Sequence, residues 1–278
     1  MAKGIGLIGN FRGKVGNMVG YNLKDSNNKQ TQGVRVYQPI VKNPKTYGQA
    51  EQRAKLAPIN ATYRALKMII DRGQEGKAYG NKSRLAWLSA AMKAFNGGWF
   101  EKGAAITLPA IVPLTKGSLP ELFEQDTDFT CPQINLSNEP SSAPTTIGAM
   151  SSILLAEFSA LHEGDQLTFV RVDNVNSSIV AKVESLVIDT TNTEALPSFV
   201  TFNTDQFMFL ASEVEAVANA IIVSREGDNG QHLRSSTPLY RGNGYDYDTM
   251  STAAKEAAIK SYMTGGSNTD WAEESLQG

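Results

Sequence analysis

The stretch 43–72, NPKTYGQAEQRAKLAPINATYRALKMIIDR, constrains the fold more than any other part of the chain. Leu56, Ile59, Tyr63, Leu66 and Ile70 recur at intervals of 3, 4, 3 and 4, so on an α-helix they share one stripe. Pro44 suits a first helical turn, and Thr46 followed by Gln49 fits a capping box that satisfies the free N–H groups of a helix start. Pro58 has no N–H to donate and marks a kink or a fresh start, although the stripe keeps its phase through it. Arg53, Arg64 and Lys67 project away from the stripe. The helix thus has an apolar face to bury and a basic face to present.

A second helix is expected after the glycine-rich connection Gly73, Gly76, Gly80, capped by Ser83 and stopped by Gly97–Gly98. Its stripe is Leu85, Leu88, Met92 and Phe95, and two such helices joined by a short loop predict an antiparallel hairpin packed stripe to stripe. Trp87 lies off that stripe and is expected to pack within the chain. The first forty residues are punctuated by glycine. Gly4, Gly6 and Gly9 spell G-x-G-x-x-G, but only three residues precede them, too few for the strand that a dinucleotide fingerprint needs. The run through Gly13, Gly16 and Gly20 reads instead as a permissive arm, with a hairpin of Met18–Leu23 and Gly33–Tyr37 across the polar turn 25–28. Lys14, Arg35 and other cations lie beside Phe11, Tyr21 and Tyr37. That mixture suits either a grip on single-stranded nucleic acid or an arm across a neighbouring subunit.

Six of the 11 prolines fall in 103–147, which favours extended crossovers over helix and places a domain boundary there. Beyond 148 the period changes to that of strands. Ile153–Phe158, Leu167–Val172, Ile179–Ile188, Phe199–Thr201, Val217–Ser224 and His232–Tyr240 are the candidates, the last two flanking the hairpin turn Gly227-Asp228-Asn229-Gly230. Thr249–Met263 reads as a C-terminal helix before a polar tail. The expected class is α+β: a basic arm and helical hairpin over 1–102, a proline-rich crossover over 103–147, and an immunoglobulin-like β-sandwich with a C-terminal helix over 148–278.

The net charge of −2 conceals a strong polarity. Residues 1–102 hold 18 Lys and Arg against 5 Asp and Glu, a net of +13, and the remainder carries −15. Charge this segregated points to two regions that face different partners, or to basic and acidic faces that meet between subunits. Lys14, Arg35, Lys45, Arg53, Arg64 and Lys67 are the residues expected to serve assembly or polyanion binding.

Catalytic chemistry finds no foothold. Two histidines and one cysteine cannot hold zinc without carboxylates, and no ligand spacing supports a site. His162 in a turn and His232 at a strand start read as ordinary hydrogen-bonding histidines, and Cys131 as a buried thiol. There is no nucleophile elbow and no P-loop. Asp246 and Asp248 read as acids complementing a helix start rather than as part of a calcium loop. No cofactor is expected, no run of ~18 apolar residues offers a membrane span, and the opening MAKGIGLIGNFRGK lacks the pattern of a secretion signal.

Gly13-Lys14-Val15-Gly16-Asn17-Met18-Val19-Gly20-Tyr21, then Arg35, then Asn43-Pro44-Lys45-Thr46 with Gln49, Gln52 and Arg53, resembles a functionally uncharacterised family of Bacteroidota and their phages. The Asn-Pro-x-Thr-x-x-Gln-x-x-x-Arg piece is also similar to segments of small proteins encoded among phage virion genes. Ile222-Val223-Ser224-Arg225 with Leu233-Arg234-Ser235-Ser236 is similar to that family's C-terminal half. The resemblance supplies a phage context and no site residues; together with the absent catalytic constellation, the glycine-rich arm and the opposed charges it leads to the expectation of a non-enzymatic virion component, a homo-oligomer or a partner of other virion proteins, present in the particle and in the host cytoplasm during assembly. A nucleic-acid-binding protein using the basic N-terminal region is the alternative.

Overall fold

The computed structural model describes residues 13–24, 30–37, 46–95, 97–121, 131–212, 216–227, 230–241 and 251–263. Two compact units divide the chain, Met1–Pro44 and Lys45–Gly278, and the fold is mixed α+β with three antiparallel sheets. In the first unit, β1 (Gly13–Val15), β2 (Met18–Lys24) and β3 (Gln30–Val36) form a meander. The predicted hairpin is its second half, with Met18 opposite Val36 and Lys24 opposite Gln30. Tyr21 lies directly across from Gly33, and a Cβ on Gly33 would come within 2.6 Å of its ring. The glycine is what lets the aromatic side chain cover the neighbouring strand.

The second unit begins with α1 (Tyr47–Ala65), and Thr46 is its N-cap, accepting the Gln49 N–H on its hydroxyl. The helix runs through Pro58 without a fresh start. The Thr62 hydroxyl donates to the Pro58 carbonyl at 3.0 Å and accepts the Ala110 N–H at 2.7 Å, which ties the helix to the proline-rich crossover. The break comes later, at Leu66, after which the single turn α2 (Lys67–Ile70) follows. α3 spans Asn81–Ala94. Ser83 is not its cap: Gly80 is, and the buried Ser83 hydroxyl donates to the Ile70 carbonyl at 2.7 Å, joining α3 to the end of α2.

The two helices do not pair stripe to stripe as expected. Along α3 the buried line is Ser83, Trp87 and Ala91, four residues apart, flanked by the half-buried Leu88, Met92 and Phe95. Leu85 is 55% exposed, because it sits about 200° around the helix from Trp87. What both helices face is a sheet. Ile59, Leu66, Ile70, Trp87 and Ala91 share a core with Val170, Val172, Ala218, Ala220 and Ile222.

That sheet has five strands, in the order β10–β9–β5–β6 with β11 also on β9. They are β5 (Gln166–Val175), β6 (Ser178–Val187), β9 (Ala218–Glu226), β10 (His232–Arg234) and β11 (Tyr240–Arg241). Its other face carries Leu167, Phe169, Ile221 and Val223, packed against a second sheet of β4 (Gln133–Asn135), β8 (Gln206–Phe209) and β7 (Val200–Asn203). Two antiparallel sheets do face each other, but the larger is covered on its outer face by helices from the N-terminal third. An immunoglobulin-like sandwich would leave that face to solvent, so the layers are helix, large sheet, small sheet.

α4 (Ile147–Glu157) completes the inner core through Ile147, Met150 and Leu154. The segment Ile153–Phe158, expected as a strand, is the end of this helix and its cap. Thr146 caps it by accepting the Ala149 N–H, and the buried residues at 147, 150, 151 and 154 keep helical spacing. α5 (Thr252–Met263) packs Ala258, Ile259 and Met263 on Ala50, Ala54 and Trp99, near the start of α1. The crossover 103–147 runs inside this one unit. It adds Ala110, Val112 and Leu114 to the helix–sheet core, so it does not separate two cores. Cys131 is buried, as expected. Because Leu66 sits fully inside that shared core, Leu66→Ala is expected to cost roughly 2–5 kcal/mol in urea unfolding.

Candidate functional site

The residues that the sequence singles out for assembly or polyanion binding fall in three places. Lys45 lies outside the described residues, as do Asp246 and Asp248. In the first unit Lys14 and Arg35 are both exposed, with the Lys14 ammonium 3.6 Å from the centre of the Tyr37 ring. In the second unit Arg53 and Arg64 are 11 residues apart on α1, three helical turns, and so share a face, with Lys67 close to the same line on α2. Arg64 and Lys67 are exposed and Arg53 is half-buried. Among the described residues none of these three makes an ion pair. Lys55, by contrast, bonds Glu51 at 3.0 Å, and Lys260 lies 3.9 Å from Glu256.

A second feature escaped sequence reading. A cleft of about 930 Å³ opens between the α2–α3 connection and the β9–β10 hairpin. Arg72, Lys77, His232 and Arg234 line it, together with Glu75 and Glu226. Glu75 builds its floor. Its carboxylate accepts from the Ser118 N–H at 2.9 Å, the Ser118 hydroxyl at 3.1 Å and the Arg234 N–H at 3.2 Å. Burial pushes the Glu75 carboxyl up, and these donors outweigh it, so the group titrates below the usual carboxylate range. Gly117 lets the crossover pass here: a Cβ on it would lie 2.1 Å from the Arg234 carbonyl oxygen. The Arg234 guanidinium is held below its ordinary value by burial first and by Arg72 second. The Arg72 guanidinium lies 5.1 Å from the centre of the Tyr79 ring. The two guanidinium groups share the cleft with the carboxylates of Glu75 and Glu226, so its charge is mixed. Arg72 and Arg234 are 162 positions apart, and nothing in their local spacing announces the pairing.

Two ion pairs hold carboxylates with little or no exposure, one of them through Arg225, which also lines the cleft. Arg225 grips the fully buried Asp165 with two bonds, Nε to Oδ1 at 2.6 Å and a terminal nitrogen to Oδ2 at 2.7 Å, and also donates to the Ala160 carbonyl. Arg171, with no exposed side-chain surface, donates to both Asp173 oxygens at 2.8 and 3.1 Å and to the Leu210 carbonyl at 3.0 Å. Both histidines are exposed, and the described residues contain no cluster of metal-ligating side chains. No helix among them is long and apolar enough to cross a membrane. No protein-family model, curated protein or solved structure matches the chain.

Proposed function

We propose that this protein is a non-enzymatic structural component of a bacteriophage particle that associates through opposed basic and acidic surfaces. The observation that carries the reading is the α1–α2 line: Arg53, Arg64 and Lys67 stand in a chain with a net charge of −2, yet no described carboxylate of their own chain pairs them. A basic face of one copy set against an acidic face of the next makes a head-to-tail contact, which closes into rings or extends into filaments. The motif Gly13–Tyr21 with Asn43-Pro44-Lys45-Thr46, which resembles an uncharacterised family of Bacteroidota and their phages, supports the phage setting, with the N-terminal residues serving as an arm across a neighbour.

The same three cations support one other reading, a nucleic-acid-binding protein gripping phosphates through the basic N-terminal region with Lys14, Arg35 and Lys45. Its test needs the full chain, since α1–α3 share their core with β5 and β9.

Arg53→Glu with Arg64→Glu is expected to shift unfolding by about 0.5 kcal/mol or less per site, because neither residue is ion-paired within the described chain. The double variant lowers the net charge of 1–102 by four and is expected to abolish salt-sensitive self-association in sedimentation runs at low and high salt. A wild-type protein that stays monomeric in low salt, and is absent from purified particles, overturns the virion reading. Self-association that is unchanged in the variant, with polyanion binding lost, moves the basic line to the nucleic-acid reading.

A further inference from the structure

β6 forms one edge of the five-stranded sheet, with β5 on one side and, among the described residues, no strand on the other. It is ten residues long, whereas β10 at the opposite edge has three. Protein sheets ordinarily blunt such an edge with charge, proline, a bulge or a covering element; β6 carries the exposed Lys182 and Glu184 and touches α1. β6 contains no proline, and it matches β5 residue for residue from Val187 opposite Gln166 to Ser178 opposite Val175, so it has no bulge. Val180, Val183 and Val187 remain 39%, 42% and 49% exposed.

The turn fixes which backbone groups this edge offers. Asn176 and Ser177 have φ of 49° and 58°, the signature of a two-residue type I′ hairpin, in which the flanking residues Val175 and Ser178 form a hydrogen-bonded pair. Hydrogen-bonded and non-bonded pairs then alternate along the strands. Ser178, Val180, Lys182, Glu184 and Leu186 point their backbone groups at β5. Ile179, Ala181, Val183, Ser185 and Val187 point theirs outward. The Ile188 N–H, bonded to the Asp165 carbonyl at 2.8 Å, falls in the same phase. Among the described residues, none of the five outward-facing residues has another backbone partner.

We propose that β6 pairs antiparallel with β6 of a second copy about a two-fold axis at Val183, joining the two five-stranded sheets into one. This register sets outward residues against outward residues: Val183 on Val183, Ala181 on Ser185, Ile179 on Val187. It also places Lys182 of each copy directly opposite Glu184 of the other, on the same face. The neighbouring registers fail on charge. Centring on 182 sets Lys182 against Lys182, and centring on 184 sets Glu184 against Glu184. Slipping to 181 sets Lys182 against Val180 and Glu184 against Ser178, and slipping to 185 sets Glu184 against Leu186 and Lys182 against Ile188. The strand's own sequence therefore selects one pairing. Such a contact is isologous, unlike the head-to-tail association proposed above, and the two readings stand or fall separately.

The test is a charge swap on the full chain carrying Arg53→Glu with Arg64→Glu, which removes the head-to-tail contact, read by sedimentation velocity at low salt, where the exposed Lys182–Glu184 pairs are least screened. With β6 unaltered this chain is expected to sediment as a dimer, and Glu184→Lys to weaken that dimer by about tenfold or more, since both cross-strand pairs become repulsive. Lys182→Glu is expected to do the same, although Lys182 also lies 3.8 Å from Asp173 in its own chain. Mixing the two variants should restore a heterodimer, because each strand then meets its opposite charge at both positions. Val183→Cys should oxidise to a covalent dimer, the bonded-pair Cα spacing of about 5.5 Å lying within disulfide range. A monomer with β6 unaltered at ~100 μM (a generous upper concentration for a micromolar dimer), a dimer indifferent to Glu184→Lys, or a mixture of the two variants that stays monomeric overturns the proposal. If a charge variant does not fold, the cysteine variant decides: no cross-linked dimer overturns it equally.

Discussion

Asp165→Ala is expected to lower the free energy of unfolding by about 3–5 kcal/mol in guanidinium titration, the range for removing one partner of a buried ion pair. Asp165 is fully buried at the start of the β5 hairpin, and three groups converge on its carboxylate. Arg225 donates twice, and the His162 N–H donates to Oδ2 at 2.8 Å. Removing the carboxylate leaves the Arg225 guanidinium mostly covered without its counter-charge. The side chain of Arg225 keeps 21% of its surface in water, which eases that penalty and puts the expected loss toward the lower end. Adding Arg225→Met should recover part of the loss, since the second change removes the stranded charge and the double variant isolates the coupling. A loss under about 1 kcal/mol for Asp165→Ala would mean that the pair is solvated and incidental.

Phe169→Ala should cost a similar amount, about 3–5 kcal/mol, for a different reason. Phe169 occupies the middle of β5 and is fully buried between the two sheets. Its ring lies parallel to that of Phe209, with centroids 3.7 Å apart, and tilts against Phe199 at 6.4 Å. Truncation removes apolar surface, opens a cavity and unseats the strand of the small sheet that Phe209 anchors. Phe169→Leu should lose less, and the gap between the two variants in thermal unfolding measures the cavity. Equal losses would point to ring stacking rather than to volume.

Much of this was legible in the sequence where local chemistry and tertiary packing agree. Thr46 is the helix cap that its spacing to Gln49 announced, and Ile59, Leu66 and Ile70 of the marked stripe are in the core, although Leu56 is not and the small residues Ala50, Ala54 and Thr62 are buried unannounced. The hairpin at Gly227–Gly230 and the C-terminal helix also lie where turn residues and composition placed them. The errors fall where one local pattern fits two structures. Ile153-Leu154-Leu155 is a short apolar run that reads equally well as strand or as buried helix, and only Thr146 decides it, by capping a helix seven residues earlier. β8 was missed because four residues after a turn give too short a period to register. Val217–Val223 is buried throughout, the pattern of a strand covered on both faces, and that run was the available clue that helices lay behind the sheet. The cleft was beyond reach, since Arg72, Glu75, Ser118 and Arg234 meet only through the fold.

The core shared by α1–α3 and the sheet sets a timetable for the growing chain. Ile70 and Ile222 belong to one core, and about 150 residues separate their synthesis. At roughly 5–20 residues per second a ribosome takes about 8–30 seconds to bridge that interval. For that time the apolar residues of the helical segments lack the sheet that covers them. Each nascent chain then passes through a stage in which holdase chaperones have a surface to bind and neighbouring chains on one message have a surface to share.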